Sequence, residues 1–306
     1  MNGSDRRDVM TVCLRPLPAL FVTDLDGTLL TSEQRVNSAD RATLENLGGD
    51  GVARVIATGR SLWSTMRVID DTFPIDYLVF SSGVGIVDWS TRKLVRAHSL
   101  NAAALGSAVA RLKWLGCDFM VQNPAPGTHE FRYHRSSREG TNPDFERRLQ
   151  RYAPYARALC AGCPPRYDLS PGGSHIVVVH KSEGGVQMWR RLCAELVGLH
   201  VVRTTSPMDG ASIWIELFAA GVSKASACAW LAGEGGVDVR RTAAVGNDYN
   251  DTDLLEWAAN AYVVANGPAE LRARFVNVAS NDGTGVSEAV IHWQAGLKAS
   301  GPGQHY

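Results

Sequence analysis

The stretch FVTDLDGTLL, residues 21–30, places two aspartates directly after an apolar run and directly before a glycine. The run begins at Ala19 and is rich in β-forming residues, which is typical of a buried parallel strand. Asp24 and Asp26 therefore follow the carboxyl end of a strand, and Gly27 lets the chain turn sharply away. In open α/β sheets, ligands bind beyond this end of the strands, so the two carboxylates are candidates for chemistry.

Strands and helices alternate on both sides of a long middle segment. A polar cap at Asn37 or Ser38 precedes a helix, a second buried strand starts at Ala53, and a third spans residues 77–80. The same alternation returns from residue 213, with strands at 213–218, 242–245 and 261–264. This pattern predicts the α/β class, with a doubly wound, Rossmann-like parallel sheet.

The middle segment mixes helices and strands without βαβ repetition. We therefore expect residues 1–86 and 213–306 to form the catalytic core, and residues 87–212 to form an inserted α+β cap domain. Since a core of this kind would bind only the reacting group, we expect the cap to select the substrate.

Composition excludes several classes of protein. The 306 residues are 45% hydrophobic, and 31 Lys and Arg balance 31 Asp and Glu, so no field of one sign would attract nucleic acid or a membrane surface. No apolar run reaches the roughly 18 residues of a membrane helix, and the N-terminus lacks the apolar stretch of a signal peptide. Of six cysteines, only Cys160 and Cys163 form a CxxC pair, which alone is weak evidence for zinc. We expect a soluble, cytoplasmic protein.

Four polar clusters fall at strand ends or at a helix start: DLDGT at residues 24–28, TGR at 58–60, SK at 223–224 and GNDYND at 246–251. Together they supply the parts of phosphoryl transfer. Asp24 can attack phosphorus, and Asp26 can protonate the leaving oxygen and later deprotonate water. The Thr58 hydroxyl, backbone N–H groups such as that of Gly59, and the Lys224 ammonium can hold phosphoryl oxygens. Hard oxygen ligands from GNDYND would complete a Mg²⁺ site.

The order of DLDGTLL, ATGR, GVSKASA and GNDYNDTDLL resembles the haloacid dehalogenase-like (HAD) phosphatase superfamily. The closest branch resembles the Cof-type and sucrose-phosphate phosphatases, which carry a large α/β cap. The resemblance implies that Asp24 is the nucleophile, Asp26 the acid/base, and Thr58, Gly59 and Lys224 the phosphate ligands. It also implies that Mg²⁺ is bound by the Asp24 carboxylate and the Asp26 backbone carbonyl.

The fourth motif departs from the family pattern Gly-Asp-x-x-Asn-Asp, because Asn247 occupies its second position. An amide oxygen can bind Mg²⁺ but brings no charge, so we expect Asn247 as the third ligand, with Asp248 as the alternative. The resemblance implies that Asn250 and Asp251 support this metal site.

The function predicted from these motifs is a Mg²⁺-dependent phosphatase that acts on a small phosphate ester, such as a sugar phosphate, through an aspartyl-phosphate. Arg132 and His134, on one predicted strand of the cap, are candidate substrate contacts, as is the loop around Thr128. Two alternatives remain open at this point: a phosphomutase that uses the same nucleophile, and a non-catalytic protein that binds a phosphorylated ligand.

Overall fold

The structure, a computed structural model, describes residues 16–136, 141–159, 169 and 171–299. Cys13, Cys160 and Cys163 lie outside the described residues, and so does the predicted CxxC pair. Within the described ranges, no helix is long and apolar enough to cross a membrane.

Strands and helices follow each other along the chain much as the apolar periodicity predicts. The strands are β1 Leu20–Thr23, β2 Ala53–Ala57, β3 Tyr77–Phe80, β4 Gly85–Asp88, β5 Lys93–Ala97, β6 Asp118–Gln122, β7 Phe131–His134, β8 Ala156–Ala158, β9 Ile176–His180, β10 Leu199–Thr205, β11 Ile213–Ala219, β12 Thr242–Gly246, β13 Asn260–Val264 and β14 Val276–Val278. The helices are α1 Ser38–Gly49, α2 Leu62–Thr65, α3 Ala102–Leu115, α4 Pro143–Arg151, α5 Ser182–Glu195, α6 Lys224–Glu234, α7 Thr252–Trp257, α8 Ala269–Arg272 and α9 Gly285–Ala299.

The first sheet has the strand order β14-β13-β12-β1-β2-β3-β4-β5. Its first six strands are parallel, and β4 and β5 extend it as an antiparallel hairpin. In the centre, Val22 lies opposite Val55 on one side and Ala244 on the other. This register brings the carboxyl ends of β1, β2 and β12 to one edge, confirming the predicted doubly wound α/β class.

Helices cover both faces of this sheet, because side chains alternate between the faces along each strand. Leu20 and Val22 pack in an apolar cluster that includes residues of α6 and α7. Phe21 points the other way and contacts Trp293 of α9, with a ring separation of 5.8 Å. Burial on both faces explains why β1 is apolar at every position rather than at alternate ones.

The second sheet has the strand order β10-β11-β9-β6-β7-β8 and is antiparallel except for the β7–β8 pair. Residues of α3 and α5 cover one face, around Phe119 and Ile215. Residues of α4 cover part of the other face, around Met120 and Trp214. We call this sheet with its helices, residues 98–219, the cap.

The junctions between the two sheets differ from the boundaries predicted at residues 87 and 213. The β4–β5 hairpin belongs to the first sheet, and β11 lies between β9 and β10 in the second. Apolar runs of this kind suit either sheet, and periodicity does not specify hydrogen-bonding partners. The chain therefore leaves the first sheet after Ala97 and leaves the second after Ala219.

Candidate active site

Backbone hydrogen bonds extend the first sheet just beyond its strand ends and hold the candidate residues there. The N–H of Asp24, directly after β1, donates to the carbonyl of Val245 at 2.9 Å. The N–H of Thr58, directly after β2, donates to the carbonyl of Val79 at 2.9 Å. Both side chains are buried and line one cleft, as the strand-end argument predicts.

Lys224 lies between two carboxylates beneath this cleft. Its Nζ donates to Asp24 Oδ1 and to Asp251 Oδ1, each at 2.6 Å, and the lysine is only 1% exposed. A capping box at Ser223 begins α6 and so fixes the first-turn position of Lys224. The three groups carry one positive and two negative charges, which leaves this buried cluster a net charge of about −1 when all are ionised.

The surroundings of this cluster shift the pKa values of Asp24 and Lys224. Burial raises the pKa of Asp24 to about 7; the Asp251 charge adds to this effect and Lys224 opposes it. Burial alone would lower the pKa of Lys224, but the two carboxylates overcome that effect and hold the pKa above its ordinary value. Lys224 is therefore a permanent cation beside the candidate nucleophile.

Asp251 holds the loop that follows β12. Its Oδ2 accepts from the backbone N–H groups of Asn247 at 2.9 Å and Asp248 at 3.1 Å. Close approach is possible because residue 246 is a glycine: a Cβ there would lie 2.7 Å from Asp251 Cγ. Asp251 thus positions Asn247 and does not reach the cleft itself.

The side chain of Asn247 ends between the two aspartates. One end of its amide lies 3.2 Å from Asp24 Oδ2 and 3.0 Å from the Asp26 carbonyl oxygen. With nitrogen at this end, the amide donates to both oxygens. With oxygen at this end, three oxygens face one another, an arrangement that needs a cation between them.

This arrangement fits the predicted Mg²⁺ site. Neighbouring ligands of an octahedral ion with bonds of about 2.1 Å stand about 3 Å apart, which matches the spacing of these groups. The donor set has one carboxylate only, and among the residues the structure describes there is no cluster of three or more His, Cys, Asp and Glu side chains able to hold a metal ion. Mg²⁺ commonly keeps several water or phosphate ligands, so a sparse protein donor set suits it.

Asp248, the alternative ligand, points away from these oxygens and towards the cap. Its Oδ2 accepts from Thr204 Oγ1 at 2.8 Å and from the Thr205 N–H at 3.0 Å, both on β10. Its Oδ1 accepts from the N–H of Tyr249 at 2.7 Å. The carboxylate therefore joins the core loop to the cap, and of the two alternatives the geometry favours Asn247 as the metal ligand.

Asp26 lies at the open side of the cleft, paired with Arg60. Arg60 Nε donates to Asp26 Oδ2 at 2.7 Å, and Nη2 donates to Oδ1 at 2.6 Å. This two-point pairing fixes the plane of the Asp26 carboxylate. Arg60 is therefore a positioning residue for Asp26.

Thr58, Gly59 and Asn250 line the same cleft. Thr58 Oγ1 accepts from the N–H of Arg60 at 3.1 Å, so its hydroxyl hydrogen is left for another acceptor. Gly59 lies under Asn250, whose Nδ2 would be 3.7 Å from a Cβ at residue 59. Thus Thr58, Gly59 and Asn250 lie around the same cleft as the two aspartates, whereas Lys224 and Asp251 lie beneath it.

The cleft has a volume of about 840 Å³ and lies between the strand ends of the first sheet and the α4 face of the cap sheet. Trp63 of α2 stacks on His129 of the cap across it, with a ring separation of 5.3 Å. On its cap side it is lined by Gln122, Thr128, His129, Arg148, His175 and Glu216, among others. The loop around Thr128 therefore reaches the cleft, as predicted.

Arg132 and His134, the predicted cap contacts, do not line the cleft. They pair with Val121 and Phe119 and so share the sheet face covered by α3 and α5. Their neighbours Phe131 and Tyr133 take the cleft-side face instead. The prediction was wrong because the register of β7 decides which of its alternate residues point to the cleft and which point to the opposite face of the sheet.

Several cap residues of the cleft escaped the sequence analysis, among them Gln122, Glu216 and Arg148. Gln122 ends the apolar strand DFMVQ, and Glu216 is the one charged residue of the apolar strand IWIELFA. A single polar residue in an apolar strand can indicate a functional position, because burying a polar side chain costs free energy that another interaction has to offset. Arg148 lies in the basic helix α4 and has no such signal.

Comparison with known proteins places these motifs in a wider group. The sequence pattern that defines the haloacid dehalogenase-like hydrolases matches residues 21–290. A protein of Streptococcus pyogenes serotype M6 is 23% identical over 281 residues, covering 90% of this chain and 97% of that protein. The 5-amino-6-(5-phospho-D-ribitylamino)uracil phosphatase of Bacillus subtilis is 23% identical over 282 residues, covering 86% and 94%.

The fold recurs in a solved structure, BT1666 from Bacteroides thetaiotaomicron, a phosphatase of the HAD enzyme superfamily. The two superpose with a TM-score of 0.73 over 91% of this chain and 96% of that one, at 20% identity. This likeness concerns the fold, including the cap.

Proposed function

The chain belongs to the haloacid dehalogenase-like hydrolases and is a phosphatase of that family, and we propose that it hydrolyses a small phosphorylated metabolite, such as a sugar phosphate, with Mg²⁺ and through an aspartyl-phosphate on Asp24. One observation carries the proposal: a buried carboxylate is held by a buried ammonium, with a second carboxylate two residues on at the open side of the same cleft.

The first step is nucleophilic attack by Asp24. A carboxylate oxygen of Asp24 forms a bond to phosphorus while the bond from phosphorus to the leaving oxygen breaks. Lys224 lies 2.6 Å from Asp24 Oδ1 and favours the ionised, nucleophilic form of that carboxylate, against the effect of burial. Lys224, Thr58 and the N–H of Gly59 offer donors to the phosphoryl oxygens, whose charge is largest in the transition state.

Asp26 transfers the protons. As an acid it gives its proton to the leaving oxygen in the first step. As a carboxylate it then takes a proton from the water whose oxygen attacks phosphorus and breaks the bond to Asp24. Both oxygens of Asp26 accept from Arg60, so one of them has to leave the guanidinium before it can carry the transferred proton.

The Asp24 carboxylate, the Asp26 carbonyl oxygen and the Asn247 side-chain oxygen would hold Mg²⁺, since the end of the Asn247 amide lies 3.2 Å from Asp24 Oδ2 and 3.0 Å from the Asp26 carbonyl oxygen. When bound, Mg²⁺ neutralises charge on the phosphate and so lets a carboxylate approach it. The ion would also offset the net negative charge of the buried cluster around Lys224.

The cleft supports a polar, sugar-like leaving group. Its cap side offers donors and acceptors from Thr128, His129, Gln122 and Glu216, next to the aromatic ring of Trp63. Hydroxyl groups need both donors and acceptors, and sugar rings pack on aromatic faces. The Bacillus subtilis relative acts, by its name, on a phosphorylated ribityl compound, which is also a polyhydroxylated phosphate ester.

Phosphate release from the purified full chain tests the proposal, with sugar phosphates, glycerate-type phosphates, nucleotides and p-nitrophenyl phosphate as substrates. We expect release with Mg²⁺, none with EDTA, and none from Asp24→Asn at wild-type melting temperature. Asp71→Asn, which changes an exposed carboxylate paired with Arg92, is the matched control and keeps the wild-type rate.

Two other outcomes would contradict hydrolysis. Conversion of a sugar phosphate into its isomer without net phosphate release would identify a phosphomutase. Stabilisation of the folded chain by phosphate esters with no turnover of any of them would identify a phospho-ligand-binding protein.

A further inference from the structure

Positive side chains remain in the cleft after its internal ion pairs are taken into account. Asp24 is paired with Lys224 and Asp26 with Arg60, whereas the hydrogen bonds of Asp248 to β10 come from uncharged groups and are not an ion pair. Three further arginines line the cleft, Arg67, Arg148 and Arg151, and none of them forms an ion pair with a carboxylate in the part of the chain that the structure describes.

Glu216 lines the same cleft and offsets the positive charge of Arg148 only weakly. Its Oε2 accepts from Ser82 Oγ at 3.2 Å. Burial raises the pKa of Glu216, opposed by the Ser82 hydrogen bond and the charge of Arg148. An ionised Glu216 can offset the charge of only one of the three arginines.

Arg148 is the most enclosed of the three arginines. Its guanidinium lies over the ring of Trp214 at 4.4 Å and over that of Tyr152 at 5.3 Å. Its Nε is fully covered and has no hydrogen-bond partner among the described residues. The nearby Asp144 is engaged elsewhere, because its oxygens accept from Trp214 Nε1 at 2.7 Å and from Ser206 Oγ at 3.0 Å.

A guanidinium held in this way without an anion is unfavourable in the free protein. Aromatic rings compensate part of the lost hydration through cation–π attraction. They do not replace hydrogen bonds, and a buried charge without a partner costs several kcal/mol in general. A ligand group that accepts hydrogen bonds and carries negative charge would remove this cost.

Gln122 supplies an independent observation on the same face of the cap sheet. Its side chain is fully buried, and in the part of the chain that the structure describes neither its Oε1 nor its Nε2 has a hydrogen-bond partner. It lines the cleft and pairs across the strands with Phe131, whose ring Arg148 also approaches, at 5.7 Å. A buried amide with both ends unpartnered is rare in a folded protein unless a ligand completes its hydrogen bonds.

We propose that Arg148 and Gln122 bind a second anionic group, a carboxylate or a further phosphate, on the leaving group of the substrate. The proposal rests on the proposed phosphatase function and narrows its substrate class to phosphate esters with a second negative charge. Arg148 recognises the charge, and Gln122 donates to the same group or to a hydroxyl beside it. Arg67 and Arg151 draw such a substrate to the cleft from solvent.

Matched ester pairs test the proposal with the wild-type chain and Mg²⁺. For a carboxylate, the pairs are 3-phosphoglycerate with glycerol 3-phosphate, and 6-phosphogluconate with glucose 6-phosphate. For a second phosphate, the pair is fructose 1,6-bisphosphate with fructose 6-phosphate. We expect kcat/KM for the more anionic member to be at least about tenfold higher in one of these arms, the factor that one charge-assisted hydrogen bond supplies. Equal or better hydrolysis of the less anionic member in every pair would overturn the proposal and leave the phosphatase function standing.

Substitution of Arg148 tests whether this residue causes the preference for the more anionic ester. Arg148→Gln should lower the ratio of kcat/KM values within the preferred pair by about 10- to 100-fold, and Arg148→Lys should restore part of it, because the charge returns without the planar fork. Arg190→Gln, an exposed arginine on α5 away from the cleft, is the matched control and leaves the ratio unchanged. An unchanged ratio in a folded Arg148→Gln chain would also overturn the proposal.

A binding measurement separates this proposal from the proposed function. Calorimetry with Asp24→Asn, which cannot turn over, should show tighter binding of the more anionic ester, and the Arg148→Gln substitution in that background should remove the difference. If no ester is hydrolysed by the wild type, the phosphatase function fails, and this calorimetric comparison still decides whether Arg148 recognises an anion.

Discussion

Asn247→Asp is the substitution that most directly probes the metal centre, because it restores the carboxylate of the family pattern. The change keeps the size and shape of the side chain and exchanges its amide for a charge. The new carboxylate would lie where the amide now ends, 3.2 Å from Asp24 Oδ2 and 3.0 Å from the Asp26 carbonyl oxygen. Without a cation it adds a negative charge to a cluster that already holds an excess of one.

The size of the expected loss of stability follows from the separation between the two carboxylates. Two unit charges 3.2 Å apart at an effective dielectric constant of about 20 repel by about 5 kcal/mol. Uptake of a proton by one carboxylate limits the cost, because burial has already raised the pKa of Asp24 to about 7. Above that pH we expect a loss of about 2–4 kcal/mol of stability in EDTA, since each pKa unit is worth about 1.4 kcal/mol.

Mg²⁺ should reverse the loss. A second charged ligand should lower the dissociation constant for Mg²⁺ by about 10- to 100-fold, which at saturation restores about 1.4–3 kcal/mol. The assay is thermal melting in EDTA and across a Mg²⁺ titration, together with phosphate release over the same titration. The concentration of Mg²⁺ that gives half-maximal activity should fall in the variant.

Asn101→Asp is the matched control, because Asn101 caps α3 by accepting from the Ala104 N–H at 2.8 Å and aspartate caps equally well. It should change neither the melting temperature in EDTA nor the Mg²⁺ requirement. An Asn247→Asp chain as stable as wild type in EDTA, with an unchanged Mg²⁺ midpoint, would refute the assignment of Asn247 to the metal.

Three further perturbations follow from the same contacts. Lys224→Met leaves two buried carboxylates facing each other and should cost about 3–5 kcal/mol in thermal melting, part of which a second Asp24→Asn change recovers; a chain as stable as wild type would contradict the buried pairing. His175 has its pKa lowered to about 3 by burial, so the unfolded chain binds a proton that the folded chain does not, and stability present above about pH 6.5 is lost as the pH falls towards 3. His175→Asn should therefore be less sensitive than wild type to acid, by about 2 kcal/mol at about pH 5 in denaturation, and parallel pH profiles would disprove this. Asp248→Ala removes two hydrogen bonds to β10 and the one from the Tyr249 N–H, so the melting temperature should fall slightly and the looser cleft should raise KM about tenfold; unaltered kinetics would show that this contact does not hold the cap.

Local pattern was sufficient to predict the core of the site. The apolar run before Asp24 is buried on both faces of the sheet, as an unalternating strand requires. Parallel strands end at the same edge, so the residues after β1, β2 and β12 had to meet there. Lys224 was predicted from the order of the motifs and not from its surroundings, since a single lysine at a helix start is common on protein surfaces.

Local pattern was insufficient wherever the answer depended on which segments pair. The composition of β11 suits a strand of the first sheet equally well, and only its hydrogen bonds to β9 and β10 place it in the cap sheet. Arg132 and His134 were predicted at the cleft, but one step of register places them on the opposite face. The contact of Asp248 with the cap joins residues 43 and 44 positions apart, which no local signal encodes.

The sequence by itself thus determined the parallel α/β core, the two aspartates at the end of β1, and the polar groups that surround them, because these depend on apolar periodicity and on the common direction of parallel strands. Only the tertiary structure decided that Asn247 rather than Asp248 faces the aspartates, that Arg60 pairs with Asp26, and that Arg148 and Gln122 face the cleft. These contacts depend on the docking of the cap onto the strand ends. Docking is set by packing between residues far apart in the chain, and so it cannot be read from any one segment.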